Sequence, residues 1–190
     1  MSGILLASVG NSYGSLPVNI VAPAVTGTAT VGQTLSTTDG TWTGAPAPTF
    51  SYQWQRNSVD ISGATSSTYV LVEADIGNPI RCVVTATNPL GAVSANSNAT
   101  ANVAGIAPVN TVVPAVSGTA TIGSTLTTSD GTWTGTPAPT FAYQWQKGVT
   151  NISGATSSSF TVTLNQAGST IRCVVTATNV AGSASANTAN

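Results

Sequence analysis

The feature that most constrains this chain is an internal repeat that covers almost all of it. The segment DIGNPIRCVVTATN returns 91 residues later as QAGSTIRCVVTATN. An alignment that pairs Val18 with Val109 runs without a gap to Asn190, and about 50 of its 82 residue pairs are identical. A unit of this length is too long for a solenoid repeat and suits a domain that folds by itself. The chain therefore contains two copies of one domain.

The repeat divides the chain into four parts. We expect an N-terminal arm at residues 1–17, a first domain at residues 18–103, a linker at residues 104–108 and a second domain at residues 109–190. The arm is uncharged and too short to fold alone, and an extended segment of this kind can add a strand to the edge of a partner's sheet. The alternative is that the arm folds back on the first domain and covers an edge of it. The side chains that we expect to anchor it are Ile4, Leu5, Leu6, Val9 and Tyr13.

Alternation of apolar and polar residues predicts strands in each repeat. The run FSYQWQ places Phe50, Tyr52 and Trp54 on one face, and the run IRCVVTA alternates in the same way around Cys82. A shorter alternating run passes through Leu35. Turn signals such as DG, APAP and NPLG separate these runs, and no 12-residue window has a helical stripe. The pattern predicts an all-β fold in which each repeat is an antiparallel sandwich.

The charge composition limits the possible functions. Only 5% of the residues are charged, the net charge is −1, and the chain has no histidine. A chain without a basic surface is not expected to bind nucleic acid. Its apolar runs are too short for insertion into a membrane. The lack of histidine removes the commonest general base and the commonest metal ligand.

The acidic residues form no catalytic or metal-binding pattern. Only Asp39 and its counterpart Asp130 occur in both repeats, and an aspartate before a glycine is first of all a turn signal. A glycosidase needs two acids about 5–10 Å apart, and calcium needs several oxygen ligands in a cluster. No serine or threonine has a candidate base beside it. We therefore expect no enzymatic activity, no cofactor and no metal site.

The residues around the tryptophans and cysteines resemble the immunoglobulin-like fold. A tryptophan in a YQWQ strand precedes DIGNPIRC, and an ATN strand end with a glycine turn follows. The resemblance implies that Trp54 and Trp145 are the buried tryptophans of strand C, and that Cys82 and Cys173 lie in strand F. It covers about nine tenths of the chain.

One departure from antibody domains concerns the disulfide. Leu35 and Leu126 stand where strand B of an antibody domain has its cysteine. The resemblance then implies a core without a disulfide, in which Cys82 and Cys173 are small apolar side chains and the leucines fill the space of the missing partner. A sandwich without a disulfide does not need an oxidising compartment.

The runs GTWTG, YQWQ, ISGATSS and IRCVVTATN, in this order, are similar to immunoglobulin-like repeats of tailed-bacteriophage virion proteins and of bacterial surface proteins. This resemblance implies a virion structural protein, assembled in the host cytoplasm, and favours a capsid decoration protein over a tail or baseplate component. The partners it implies are a capsid or other virion protein held by the arm, a second copy of the chain, and host-surface carbohydrate.

A secreted bacterial adhesin or carbohydrate-binding module is the remaining alternative. The first residues lack a basic start, and their apolar core is short for a signal peptide, so we expect no secretion signal. Trp42 and Trp133 lie in GTWTG segments, where an indole could stack on a sugar ring. The favoured interpretation is that both indoles pack over the edge of the sandwich, against the proline-rich loops.

The repeats differ in the segment before strand F. Glu73 and Ile76 of the first repeat correspond to Leu164 and Ala167 of the second. We expect Ile76 in one domain and Leu164 in the other to close the same end of the core.

Overall fold

The computed structural model describes residues 14–188, which divide after Val103 into two units. We call the described residues up to Val103 module 1 and those from Ala104 module 2. The five side chains expected to anchor the arm, Ile4, Leu5, Leu6, Val9 and Tyr13, lie outside the described residues.

The described residues of module 1 form short strands and one 3-10 turn, η1. In chain order these are β1 (Ser15–Val21), β2 (Val25–Thr26), β3 (Thr34–Thr37), β4 (Thr41–Ala45), β5 (Thr49–Arg56), β6 (Val59–Asp60), β7 (Thr68–Val70), η1 (Glu73–Asp75), β8 (Ile80–Asn88) and β9 (Gly91–Asn96).

Module 2 repeats this order of elements, with a second 3-10 turn, η2. Its elements are β10 (Ile106–Val112), β11 (Val116–Ser117), β12 (Thr125–Thr128), β13 (Thr132–Thr136), β14 (Thr140–Lys147), β15 (Thr150–Asn151), β16 (Ser159–Thr161), η2 (Leu164–Gln166), β17 (Ile171–Asn179) and β18 (Gly182–Asn187).

Each module pairs its strands in the order of an immunoglobulin-like sandwich. In module 1 one sheet has the order β2-β3-β7 and the other the order β6-β5-β8-β9, while β1 pairs separately with β4. Module 2 has the equivalent sheets β11-β12-β16 and β15-β14-β17-β18, with β10 paired to β13. All these strand pairs are antiparallel. The predicted fold, two tandem immunoglobulin-like sandwiches without disulfides, is confirmed.

A tryptophan and a cysteine lie side by side in the core of each module. Trp54 is paired with Cys82 across β5 and β8, and Leu35 of the opposite sheet belongs to the same buried cluster. In module 2 the equivalent residues are Trp145, Cys173 and Leu126. All six are at most 2% exposed. The leucine therefore lies in the same core as the cysteine. In an antibody domain, this cysteine would form a disulfide with a cysteine at the position of the leucine.

Both modules begin earlier than the repeat alignment indicated. Strand β1 starts at Ser15 and strand β10 at Ile106, so three residues assigned to the arm and three assigned to the linker belong to equivalent first strands. Pro17 and Pro108 are the buried residues of these strands. The neighbours of each proline are exposed. These strands therefore lack the alternating apolar, inward-facing residues from which the central strands were predicted.

The end of the core before β8 is closed differently in the two modules. Ile76 packs against the core of module 1, as expected, and forms a bridge with Val103. The expectation for Leu164 is wrong, because this side chain is 74% exposed. The buried residue of η2 is Gln166, whose Oε1 accepts hydrogen bonds from the Thr163 amide at 3.1 Å and the Thr163 hydroxyl at 2.6 Å.

Module 1 has a buried ion pair where module 2 has this glutamine. Asp75 is fully buried and lies 2.7 Å from the Arg56 guanidinium. Its other oxygen accepts hydrogen bonds from the Tyr69 hydroxyl at 3.0 Å and the Val72 amide at 2.8 Å. The carboxylate thus holds η1 against both sheets.

Replacement of either core tryptophan should unfold its own module. Trp54→Ala and Trp145→Ala each remove a fully buried indole, which costs about 3–5 kcal/mol, a large part of the stability of a small domain. Amide NMR spectra should lose the dispersed signals of the substituted module and keep those of the other. Trp54→Phe is the milder control. Melting of Trp54→Ala within a degree or two of the wild type would contradict the core assignment.

Neither cysteine should react in the folded protein. Cys82 and Cys173 are free and buried, and burial raises the pKa of both thiols, which keeps them protonated. A thiol reagent should label neither residue in native protein and both in denaturant. A Thr65→Cys variant, with its thiol at an exposed position, supplies the fast rate for comparison. Labelling of the native wild type at that rate would contradict the burial.

Candidate functional site

Both tryptophans considered for glycan contact are half-buried and fixed. Trp42 lies in β4, where its indole N–H donates a hydrogen bond to the Asp39 carbonyl at 2.7 Å and its ring lies 6.2 Å from that of Phe50. Trp133 has the same arrangement, with the Asp130 carbonyl at 2.7 Å and the Phe141 ring at 6.2 Å. The geometry gives each indole a packing role. Glycan contact at these positions stays a prediction.

The aspartate that both repeats keep accepts a second hydrogen bond in the same region, through its side chain. The Asp39 carboxylate accepts the hydroxyl hydrogen bond of Tyr52 at 2.6 Å, and Asp130 accepts that of Tyr143 at 2.6 Å. This bond, with a smaller contribution from burial, raises the pKa of both phenols to about 12. The aspartate therefore links β5 or β14 to the turn before the strand that carries the tryptophan. This is a structural role.

The glycine after this aspartate is required by the backbone. Gly40 has a φ of +79°, and a Cβ at this position would collide with the Val21 carbonyl and lie 2.9 Å from the Pro23 nitrogen. Gly131 is in the same conformation. The DG pair thus combines a positive-φ turn with a carboxylate acceptor.

Within residues 14–188, no three side chains among His, Cys, Asp and Glu lie close enough together to hold a metal ion. Across the same residues, no helix is long and apolar enough to cross a membrane.

The first strand of module 1 exposes a row of apolar side chains. Leu16, Val18 and Ile20 of β1 are 49%, 52% and 60% exposed, and two irregularities interrupt the pairing of this strand with β4. Leu90, in the turn between β8 and β9, is 53% exposed. We call these four residues the apolar edge.

A shallow groove lies where the chain enters this edge. It has a volume of about 410 Å³, and its lining is mainly apolar, formed by Gly14, Ala45, Pro46, Pro89 and Leu90. Gly14 directly follows residues 1–13, so the segment expected to bind a partner joins module 1 at the groove.

Module 2 does not repeat the apolar edge. Three of its four equivalent positions are Ala107, Thr111 and Ala181, and only Val109 matches. Module 2 instead exposes Ile106 and Val180 at neighbouring positions. The combination of Leu16, Val18, Ile20 and Leu90 is therefore specific to the module that follows the arm, whereas Val21 and its counterpart Val112 are exposed in both modules.

The apolar edge was not predicted from the sequence, because residues 15–17 were assigned to the arm. Alignment of GSLPVNI with GIAPVNT at the same 91-residue offset would have revealed both the extra strand and the apolar difference.

No protein-family model matches the chain, and no curated protein matches it in sequence. Similar solved structures are tandem immunoglobulin-like proteins. A titin tandem of two immunoglobulin domains is 17% identical, with a TM-score of 0.30, over 93% of this chain and 96% of that chain. Immunoglobulin domains 1–5 of Sidekick-1 are 21% identical, with a TM-score of 0.34, over 91% of this chain and 38% of that chain.

A further similar structure comes from a bacteriophage. The three N-terminal domains of the Highly Immunogenic Outer Capsid protein of bacteriophage RB49 are 15% identical, with a TM-score of 0.35, over 88% of this chain and 58% of that chain. The fold of the present chain is assigned from its own strand order and buried tryptophans, not from these similarities.

Both modules should lose stability at alkaline pH. The neutral phenols of Tyr52 and Tyr143 donate to carboxylates, so their folded pKa of about 12 lies above the unfolded value of about 10. Their contribution is fully present below pH 10 and is lost as the pH rises toward 12. Denaturant unfolding across this range should show the decrease. Tyr52→Phe with Tyr143→Phe should make the decrease smaller, and the buried thiols of Cys82 and Cys173, whose pKa burial raises, should cause part of what remains. Tyrosinate absorbance that shows only ordinary ionisation would contradict the two hydrogen bonds.

Proposed function

We propose that this chain is a non-enzymatic virion structural protein that decorates a bacteriophage capsid. Its arm and the adjoining apolar edge bind a capsid or other virion protein, and its two immunoglobulin-like modules are displayed on the particle. The observation that carries the proposal is the apolar edge, which starts three residues after the expected anchoring segment ends at Tyr13.

The apolar edge has the chemistry of a protein-binding surface. Each of its four side chains leaves about half of its surface in water, and burial of apolar surface contributes about 25 cal/mol per Å². Contiguous apolar patches of this kind mark interaction sites more often than isolated apolar residues do. The arm extends the same uncharged, apolar character beyond Gly14.

An extended arm next to such an edge suits a two-part attachment. The arm can add a strand to an open sheet edge of the partner, where backbone hydrogen bonds supply affinity and alternate side chains supply specificity. The apolar edge then covers a second patch of the partner. Linking the two contacts raises the overall affinity, because the second contact forms within one complex.

The test is to remove the arm without disturbing β1. Deletion of residues 1–13 leaves the described part of module 1 intact, and the shortened protein is mixed with bacteriophage particles stripped of the native protein. We expect an unchanged melting temperature and binding weakened by at least about tenfold, which corresponds to about 1.4 kcal/mol. Undiminished particle binding would overturn the anchoring role of the arm.

A second variant tests the apolar edge separately. Leu16→Ala, Ile20→Thr and Leu90→Ala together introduce the residues that module 2 carries at these positions, so the fold should tolerate them. We expect weaker particle binding. The matched control is Val149→Ala, Leu164→Ala and Val180→Ala, which removes highly exposed apolar side chains from module 2 and should leave binding unchanged. Equal effects of the two triple variants would contradict a specific edge.

The position of the protein on its native particle tests the capsid assignment. Electron microscopy with a label on module 2 should place the label over the head. A label on the tail would overturn capsid decoration and support the tail or baseplate alternative.

A further inference from the structure

The four-stranded sheet of each module turns a polar face to solvent. Residues of β8 that point away from the core are paired across the sheet mainly with polar residues of β5 and β9, the exception being Thr87, which is paired with Ala92 of β9. We call this set in module 1 the outer face: Ser51, Gln53, Gln55, Arg81, Val83, Thr85, Thr87, Ser94 and Asn96. The equivalent set in module 2 is Ala142, Gln144, Gln146, Arg172, Val174, Thr176, Thr178, Ser185 and Asn187.

The outer face is nearly identical in the two modules. At these nine positions only Ser51 differs, being replaced by Ala142. Two further residues of the same face also differ: Asp60, which pairs with Gln55, is Asn151 in module 2, and Ala92, which pairs with Thr87, is Ser183. The turn at the end of the same sheet behaves differently, since every residue from Arg56 to Asp60 has changed. The nine positions of the outer face have thus changed less than this turn.

Most other segments shared by the repeats have a clear structural role. The DG turn holds Trp42 and Tyr52, and the ISGATSS loop binds the polar groups of Trp54. Arg81 and Arg172 have no comparable role, because their side chains point away from the core and, among the described residues, bond only to a glutamine of the same face. The fold does not explain why both modules keep this arginine.

Each arginine is held by one hydrogen bond from its Nε, and within residues 14–188 its terminal nitrogens form no hydrogen bond. Arg81 Nε donates a 2.7 Å hydrogen bond to Gln55 Oε1, and Gln55 Nε2 donates to Asp60 at 2.7 Å. In the part of the chain that the structure describes, the one ion pair is between Arg56 and Asp75. The Arg81 guanidinium therefore has no carboxylate partner within this region.

Module 2 repeats this arrangement, but it has no carboxylate at the position of Asp60. Arg172 Nε donates to Gln146 Oε1 at 2.7 Å, and Gln146 Nε2 donates to the Asn151 side chain at 2.8 Å. Asn151 replaces Asp60, so the second face carries a positive charge with no negative charge beside its glutamine.

We propose that the outer faces bind an anionic polysaccharide through its carboxylate groups. A guanidinium with free terminal nitrogens binds a carboxylate through two parallel hydrogen bonds. The amides and hydroxyls around it can exchange hydrogen bonds with sugar hydroxyls, and a sheet face suits an extended polymer. One positive charge per face is too few for nucleic acid, which is bound through many phosphate contacts. This inference rests on the proposed function, in which the two modules are displayed on the particle. It names the ligand that the displayed modules bind.

The binding should be weak at one face and stronger for the whole chain. The chain carries two equivalent faces, and linked contacts with one polymer raise the overall affinity above that of a single face. The face of module 2 should contribute more, because Asp60 opposes an anionic ligand only in module 1.

The test uses the full chain and polygalacturonate, a carboxylate-bearing polysaccharide, immobilised in a gel, with neutral dextran as the comparison. The wild type should be retarded by polygalacturonate and not by dextran. Arg81→Gln with Arg172→Gln should weaken this retention by about tenfold or more, and Arg172→Gln alone should have a larger effect than Arg81→Gln alone. Lys147→Gln removes one positive charge from a residue whose side chain bonds to the Asn165 carbonyl, and it should retain binding.

Several outcomes would overturn the proposal. They are absence of wild-type retention by polygalacturonate, equal retention by dextran, wild-type behaviour of the double arginine variant, and an equal effect of Lys147→Gln. An unchanged melting temperature confirms that the arginine variants are folded. Particle binding by the double variant should stay intact, which separates this site from the arm. If arm deletion left particle binding intact while polygalacturonate binding persisted, the anchoring proposal alone would fail.

Discussion

The structure of each module depends on how one buried tryptophan satisfies its polar groups. The Trp54 amide donates to the Ala64 carbonyl at 2.9 Å, and the Trp54 carbonyl accepts from the Ile61 amide at 2.9 Å. The indole N–H donates to the Ser66 carbonyl at 2.9 Å. All three partners lie in the ISGATSS loop, and Trp145 has the same three partners in its own copy. Because an unpaired polar group in a core is costly, the loop must keep its backbone path wherever the tryptophan is kept.

This arrangement makes the absence of a disulfide understandable. In an antibody domain a cystine joins the two sheets behind the tryptophan. Here Cys82 lies next to Trp54 on one sheet, and Leu35 packs from the other, so the sheets are joined by apolar contact. The connection between β5 and β7 is then fixed by the tryptophan's three hydrogen bonds. A covalent crosslink is replaced by packing and by satisfied backbone groups, neither of which requires oxidation.

Residues with periodic patterns could be predicted from the sequence, and residues that act through single long-range bonds could not. Alternation around Trp54 and Cys82 identified the central strands, because inward positions recur every second residue. The role of Asp39 leaves no such signal, since its partner Tyr52 is 13 residues away and only the fold brings them together. Strand β1 was missed for a related reason: its buried residue is a proline between exposed neighbours. Leu164 looked like a core residue by size, yet Gln166 takes the buried position because its side chain bonds to Thr163.

The two modules together show which polar interactions the fold can exchange. In module 1 the turn before β8 is held by Asp75, with Arg56 and Tyr69 as partners. In module 2 all three residues differ: Gln166, Lys147 and Phe160 replace them. Loss of one partner from a buried ion pair is strongly destabilising, whereas replacement of the whole group can be nearly neutral. The set has accordingly changed as a unit, and the lysine now bonds to the Asn165 carbonyl. The turn needs a side-chain acceptor for the amide at its start, and a neutral glutamine meets that need as a carboxylate does.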